Sequence, residues 1–275
     1  MLSRHYFLFF RLILIQNLLL LGMRILISLI FLLVALPVIS QSRYIHVLVA
    51  LCDNDNQGIV PVPRKIGNGQ DPANNLYWGC GFGVKTFFKK QTDWKLIKQI
   101  NDSEEHIYER LVFKHKDKSV YLVADAYDGA AIKQTTIDLL NYASGRAKQI
   151  LDVDSLKVKA GGNADLIAYV GHDGLMDFSL DDYPTPTDQK KREVIILACA
   201  SRNYFYKPIG KTGAFPLLWT TNLMCPEAYT LDAAIDSWIN NDPPAVTREK
   251  AAQIYSQYQK CGIKGARNLF VTGFK

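Results

Sequence analysis

The sequence lacks most of the spacings by which ligand-binding modules announce themselves. Its five cysteines, Cys52, Cys80, Cys199, Cys225 and Cys261, contain no C-x-x-C pair, and the five histidines do not join them in a zinc pattern, so no metal site is indicated. No G-x-G-x-x-G follows the first β-rich run and no Walker A loop occurs, which argues against a dinucleotide or nucleoside triphosphate site. A self-similar period is also missing, and 18 Gly and 11 Pro are ordinary for 275 residues. Repeat, collagen-like and small disulfide-scaffold architectures are therefore excluded. With 48% hydrophobic and 21% charged residues, the chain has the makings of one substantial core, and disorder is excluded.

Acidic residues are absent from the first 40 positions, where Arg4, Arg11 and Arg24 stand among apolar side chains. Three of the 32 basic residues and none of the 26 acidic ones lie there, so the formal charge of +6 falls to +3 for the remainder. That remainder is nearly balanced. Its basic clusters, KK, KHKDK and QKKR, are scattered with acids nearby, which predicts solvated faces and no nucleic-acid partner.

Residues 1–40 hold two apolar runs, 6–21 and 25–39, the first interrupted by Arg11, Gln16 and Asn17. Neither is a clean span of about 20 residues. Met23-Arg24 before the second run and Ser40 behind it give the layout of a secretory signal, with Met23 as the start and cleavage near Ser40 or Ser42. The alternative is an uncleaved membrane anchor or a hairpin of two membrane helices. Residues 1–40 are thus expected to be a signal peptide or anchor, and 41–275 an exported or membrane-anchored domain. Cys52 follows Leu51 instead of a small residue, which speaks against a lipoprotein. An odd number of cysteines in an oxidising compartment leaves at least one thiol unpaired unless chains cross-link.

Beyond residue 40, β-rich runs alternate with helical ones. Residues 44–51 (YIHVLVAL) read as the first strand, closed by the turn residues CDNDNQG. Asp71-Pro72 predicts the start of a helix over 73–90. Strands are predicted at 107–113 and 119–126, a helix over 129–143, strands at 166–170 (LIAYV), 194–198 (VIILA) and 217–224, and helices over 227–240 and 247–260. Nearly continuous apolar runs suit parallel strands buried on both faces. The predicted fold is a single α/β domain of three layers, with a mostly parallel sheet and helices on both faces.

In such sheets chemistry gathers past the carboxyl ends of the strands. Four places qualify: CDNDN after the first strand, DAYDG after 119–126, GHDG after LIAYV, and ACASRN after VIILA. The last two hold His172 and Cys199. A thiol needs a base or positive field to become a nucleophile, and adjacent strands lie about 4.8 Å apart. Gly171 and Gly174 would let the backbone turn tightly and present N–H groups to an oxyanion. Cys225, one strand further on, stands where it would pair with or crowd Cys199.

An apolar strand ending in His with a nearby Gly, followed by another ending in Ala-Cys, resembles the caspase-like cysteine peptidases, a group that includes caspases, metacaspases, legumains and gingipains. The opening VLVALCDNDNQGIVPVP and the later GNGQDPANNL are similar to that family too, so the resemblance covers about residues 44–225. It implies a caspase-like fold and a peptide or protein substrate cut by a Cys199–His172 dyad without a cofactor. Asp173 and Gly174 are the candidate oxyanion contacts, and Asp53 and Asn54, after the first strand, are read either as orienting a substrate or as capping the loop through Asx turns. Two departures stand out: Asp173 occupies the position after the histidine where the family usually has Gly, and Cys199 is followed by Ala-Ser-Arg-Asn. The alternative is an inactive relative that uses the cleft as a binding module at the cell envelope.

Overall fold

A computed structural model of the chain describes residues 9, 11, 14–24 and 41–274. Contacts divide the chain into a unit ending at Gln41 and a second beginning at Ser42. In the first, residues 14–24 are helical with exposed side chains, and no helix among the described residues is long and apolar enough to cross a membrane. The second apolar run and Ser40 lie outside the described residues, whereas Ser42, the other expected cleavage position, is described, its Oγ 2.8 Å from Ser119 Oγ.

The second unit is built on an eight-stranded sheet ordered β10-β9-β8-β7-β1-β4-β3-β2. Its strands are β1 (Arg43–Ala50), β2 (Trp94–Glu104), β3 (Ile107–His115), β4 (Val120–Tyr127), β7 (Leu166–Val170), β8 (Glu193–Leu197), β9 (Phe215–Thr220) and β10 (Phe270–Val271). The five central strands, β9-β8-β7-β1-β4, are parallel, whereas β10 at one edge and β3 and β2 at the other run antiparallel. The side chains of β7 are buried on both faces, as expected where helices cover both sides of parallel strands.

One face of the sheet packs on α1 (Val84–Lys90), α4 (Ala228–Ile239), α5 (Pro244–Gln259) and α6 (Ile263–Leu269), joining Ile45, Val47, Leu166 and Ile195 to Phe88, Leu231, Ile235 and Ala251. The opposite face packs on α2 (Ile132–Ala143) and α3 (Ser201–Thr212), joining Leu48, Ile167 and Ile196 to Leu139, Phe205 and Ile209. A hairpin of β5 (Lys148–Val153) and β6 (Leu156–Gly161) covers Val112 and Val123. This is the three-layer α/β domain that the alternating pattern predicts.

A buried ionic network seats the hairpin. The Gly161 N–H donates to His46 Nδ1 at 2.7 Å, and His46 Nε2 lies 2.8 Å from Asp125 Oδ2. Because Nδ1 accepts, Nε2 carries the proton toward Asp125. Arg110 closes on the same carboxylate through Nε and an Nη, both at 2.7 Å. Burial alone would raise the Asp125 pKa, but His46 and Arg110 override it and hold the carboxyl at about 2.

Two expectations need correction. The helix expected over 73–90 is confined to Val84–Lys90, and residues 72–82 form successive turns. The Asn75 side chain causes this by pairing with the Cys52 backbone as a neighbouring strand would, Nδ2 donating to Cys52 O at 2.9 Å and Oδ1 accepting from Cys52 N at 3.0 Å. The chain then folds so tightly that a Cβ on Gly79 would stand 2.0 Å from Ala73 O. The strand expected over 217–224 ends at Thr220, and residues 221–227 form a loop across the carboxyl end of the sheet.

Candidate active site

β7 and β8 are adjacent and parallel, with Val170 opposite Leu197. The ladder continues one step further, because the Gly171 N–H donates to Leu197 O at 3.2 Å. His172 and Cys199 therefore each stand two residues past the same rung of two strands that are about 4.8 Å apart. Gly171 is required at this exit: its φ is +148°, and a Cβ there would lie 2.7 Å from Ala50 O. Its N–H is spent on Leu197 and is not free for an oxyanion.

The His172 ring is buried, with Nε2 2.8 Å from Asp177 Oδ2. Asp177 reaches back because residues Gly174–Met176 form a 3₁₀ turn capped by Asp173, whose Oδ1 accepts the Leu175 N–H at 3.0 Å. Gly174 is fitted to its neighbours, since a Cβ would meet the Phe178 ring at 2.7 Å. With Nε2 held by a carboxylate, Nδ1 is the nitrogen left to handle a proton. Asp173 is fully buried, and its Oδ2 has no hydrogen-bond partner among the described residues. Burial, assisted by the charge on Asp177 and opposed by the Leu175 N–H, pushes this carboxyl up to about 8. A buried acid of that kind is neutral at pH 7.

Cys199 is half-buried in the turn between β8 and α3. The next residue, Ala200, adopts the left-handed conformation (φ 48°, ψ 29°) as N-cap of α3, a geometry that costs a non-glycine residue roughly 1–2 kcal/mol. Ser201 and Thr220 brace the turn. Ser201 Oγ donates to Ile196 O at 2.9 Å, Thr220 N donates to Ser201 Oγ at 3.0 Å, and Thr220 Oγ1 donates to Ala198 O. The Cys199 sulfur rests against the 221–227 loop, accepting the Met224 N–H at 3.4 Å and donating to Met224 O at 3.6 Å. Burial raises the thiol pKa above its ordinary value, the Met224 N–H opposes that, and the charge of an ionised Asp173 would raise it further.

Asp53 and Asn54 do their work inside the loop after β1. Asp53 Oδ1 accepts the Asp55 and Asn56 N–H groups at 2.9 and 3.1 Å, and its Oδ2 accepts Asn56 Nδ2 and Gln70 Nε2, both at 2.9 Å. Asn54 bridges to Val62 through both ends of its amide. These are Asx-type braces that shape one rim of the site. The structure sets His172 and Cys199 two residues past one rung of adjacent strands, with Asp173 and Gly174 in the turn after His172, and bonds Asp53 and Asn54 within the loop after β1.

Residues absent from the sequence reading complete the site. Asp177 carried no signal beyond being an acid five positions after a histidine. Met224 contributes only backbone atoms, which no side-chain pattern reveals. Buried Tyr77 lies within electrostatic range of Cys52, Cys199 and Cys225, and burial drives the Cys52 thiol up to about 11, a packing thiol in character. Among the described residues, no group of three or more His, Cys, Asp or Glu side chains is placed to hold a metal ion.

Comparison with protein-family models, with curated proteins and with solved structures gives no match. The functional reading rests on the site itself.

Proposed function

We propose that the protein is a cysteine peptidase of caspase-like architecture, in which Cys199 attacks the scissile carbonyl and His172 moves the proton. The observation that carries this reading is the shared rung: a histidine and a cysteine leave two adjacent parallel strands at the same level, as the family resemblance implies.

The chemistry follows from the surroundings. His172 Nδ1 accepts the thiol proton as sulfur attacks, and the imidazolium is stabilised by Asp177 on the far nitrogen. The thiolate forms in a turn opening a 12-residue helix and accepts the Met224 N–H, both of which favour negative charge on sulfur. The proton then passes to the leaving amine, and water resolves the thioester by the reverse sequence. A neutral Asp173 leaves the site with one carboxylate fewer to oppose thiolate formation.

The deciding experiment is incubation of the reduced protein with an irreversible thiol-directed peptide probe, followed by mass mapping and a peptide-library cleavage assay. Labelling of Cys199 that requires His172, together with cleavage, is expected. A protein that cleaves nothing, before or after proteolytic nicking, and retains partner affinity as Cys199→Ala would instead be the binding module.

A further inference from the structure

The 221–227 loop does more than flank the sulfur of Cys199. Met224 contacts it through both its N–H and its carbonyl, at 3.4 and 3.6 Å, so the sulfur is held against the backbone one residue before Cys225. The backbone of Cys225 is itself fixed on both sides: its N–H donates to Tyr255 Oη at 3.1 Å, and its carbonyl accepts the Glu227 N–H at 2.9 Å. Cys225 is exposed while Cys199 is half-buried. The other thiols are occupied elsewhere. Cys80 donates to Asn74 O at 3.1 Å, Cys52 is buried beside Tyr77, and Cys261 turns to Gly262 O. All five are unpaired.

We propose that Cys199 and Cys225 form a two-thiol modification site that a peroxide converts to a reversible disulfide, covering the nucleophile. The exposed Cys225 sulfur attacks the peroxide, taking one oxygen to become a sulfenic acid as the O–O bond breaks and water (or an alcohol) leaves. The Cys199 sulfur then attacks the sulfur of that sulfenic acid. The S–S bond forms, the S–O bond breaks, and hydroxide departs with the thiol proton as water. Two thiols are oxidised by two electrons in all, and one equivalent of peroxide is reduced. A dithiol returns both cysteines to the reduced state by exchange through a mixed disulfide. Pairing itself does not depend on the peptidase reading, and only its consequence for turnover rests on that reading.

The test uses the full-length reduced protein, treated with hydrogen peroxide under native conditions, alkylated and digested. The expected result is loss of two titratable thiols, a linked peptide containing Cys199 and Cys225, and recovery of both thiols with dithiothreitol. Cys225→Ser should give no such link and should leave Cys199 open to irreversible oxidation. If the peptidase reading also holds, probe labelling of Cys199 disappears on oxidation and returns on reduction. A linked peptide without any labelling in the reduced protein would sink the peptidase reading and leave the pair standing. A link to Cys52, Cys80 or Cys261 would overturn the proposal, as would five intact thiols after peroxide, or over-oxidised Cys199 beside an alkylatable Cys225.

Discussion

One oxygen of Asp177 accepts two hydrogen bonds, from His172 Nε2 at 2.8 Å and from the Gly58 N–H at 2.9 Å, tying the imidazole to the loop that follows β1. The carboxylate favours the tautomer with hydrogen on Nε2, which in the proposed reaction leaves Nδ1 as the base. An asparagine at this position can present its NH₂ to Nε2 and favour the other tautomer. Asp177→Asn is expected to lower turnover about 10- to 100-fold, part of the usual worth of general acid–base catalysis, while alkylation of Cys199 persists. Gly58→Ala should act similarly from the other side, because its Cβ would fall 2.3 Å from Asp177 Oδ1. Steady-state kinetics of both variants check this.

Cys199 and His172 act as a unit in the proposed reaction, so Cys199→Ala and His172→Ala should each remove nearly all cleavage, with the double variant little worse than either. Each should cost only about 1–2 kcal/mol of stability, the ordinary range for a point substitution. Urea unfolding beside the activity assay separates the two effects, and a large loss of stability in either variant would make the activity result uninterpretable as chemistry.

Asp173 should leave a mark on the pH dependence of stability. Its folded pKa of about 8 lies above an unfolded value of about 3.9, so the native state binds this proton more tightly. The contribution is fully present below about pH 4, declines as pH rises and is lost through about pH 8. Asp173→Asn removes that slope. Urea midpoints of the two proteins should move apart between pH 5 and 8, in favour of the variant as pH rises; parallel curves would refute the assignment.

The Arg110–Asp125–His46 network makes the opposite prediction in acid. The Asp125 carboxyl is held at about 2, below its unfolded value of about 3.9, so its stabilisation is present above that value and lost as pH falls through about 2. Arg110→Met leaves the carboxylate buried with one partner, at an expected cost of about 3–5 kcal/mol. Its acid unfolding, followed by circular dichroism, should begin at a higher pH than in the parent.

The strands that define the site were legible because they are apolar on both faces. LIAYV and VIILA can only be interior parallel strands or buried helix, and their length favours strand. β2 was invisible for the converse reason: WKLIKQINDSE is an edge strand in which only Trp94 is buried, with register shifts at Leu96/Lys98 and Asn101/Glu104 that break any alternation. The β5–β6 hairpin is likewise held by Val153, Val158 and Ala160 and by the His46 contact, too few apolar positions to form a pattern. His172 and Cys199 stand out because strand ends are visible in sequence. Asp177 and Met224 depend on how a turn and a loop fold back, and folding back is a tertiary property.

The place of β1 in the sheet has a consequence for how the chain reaches this structure. The first strand of the sheet in sequence order lies at its centre, Ile45 pairing with Leu122 on one side and Leu166 on the other. Both partners are distant in sequence, so loop-closure entropy is lost before pairing gives anything back, and folding belongs to the slow regime of milliseconds to seconds. On a growing chain, VLVAL emerges with both edges and both faces uncovered and waits through the synthesis of the 120 residues from Ala50 to Val170 before β7 is complete. Such an apolar strand with open edges is prone to aggregate until its partners cover it.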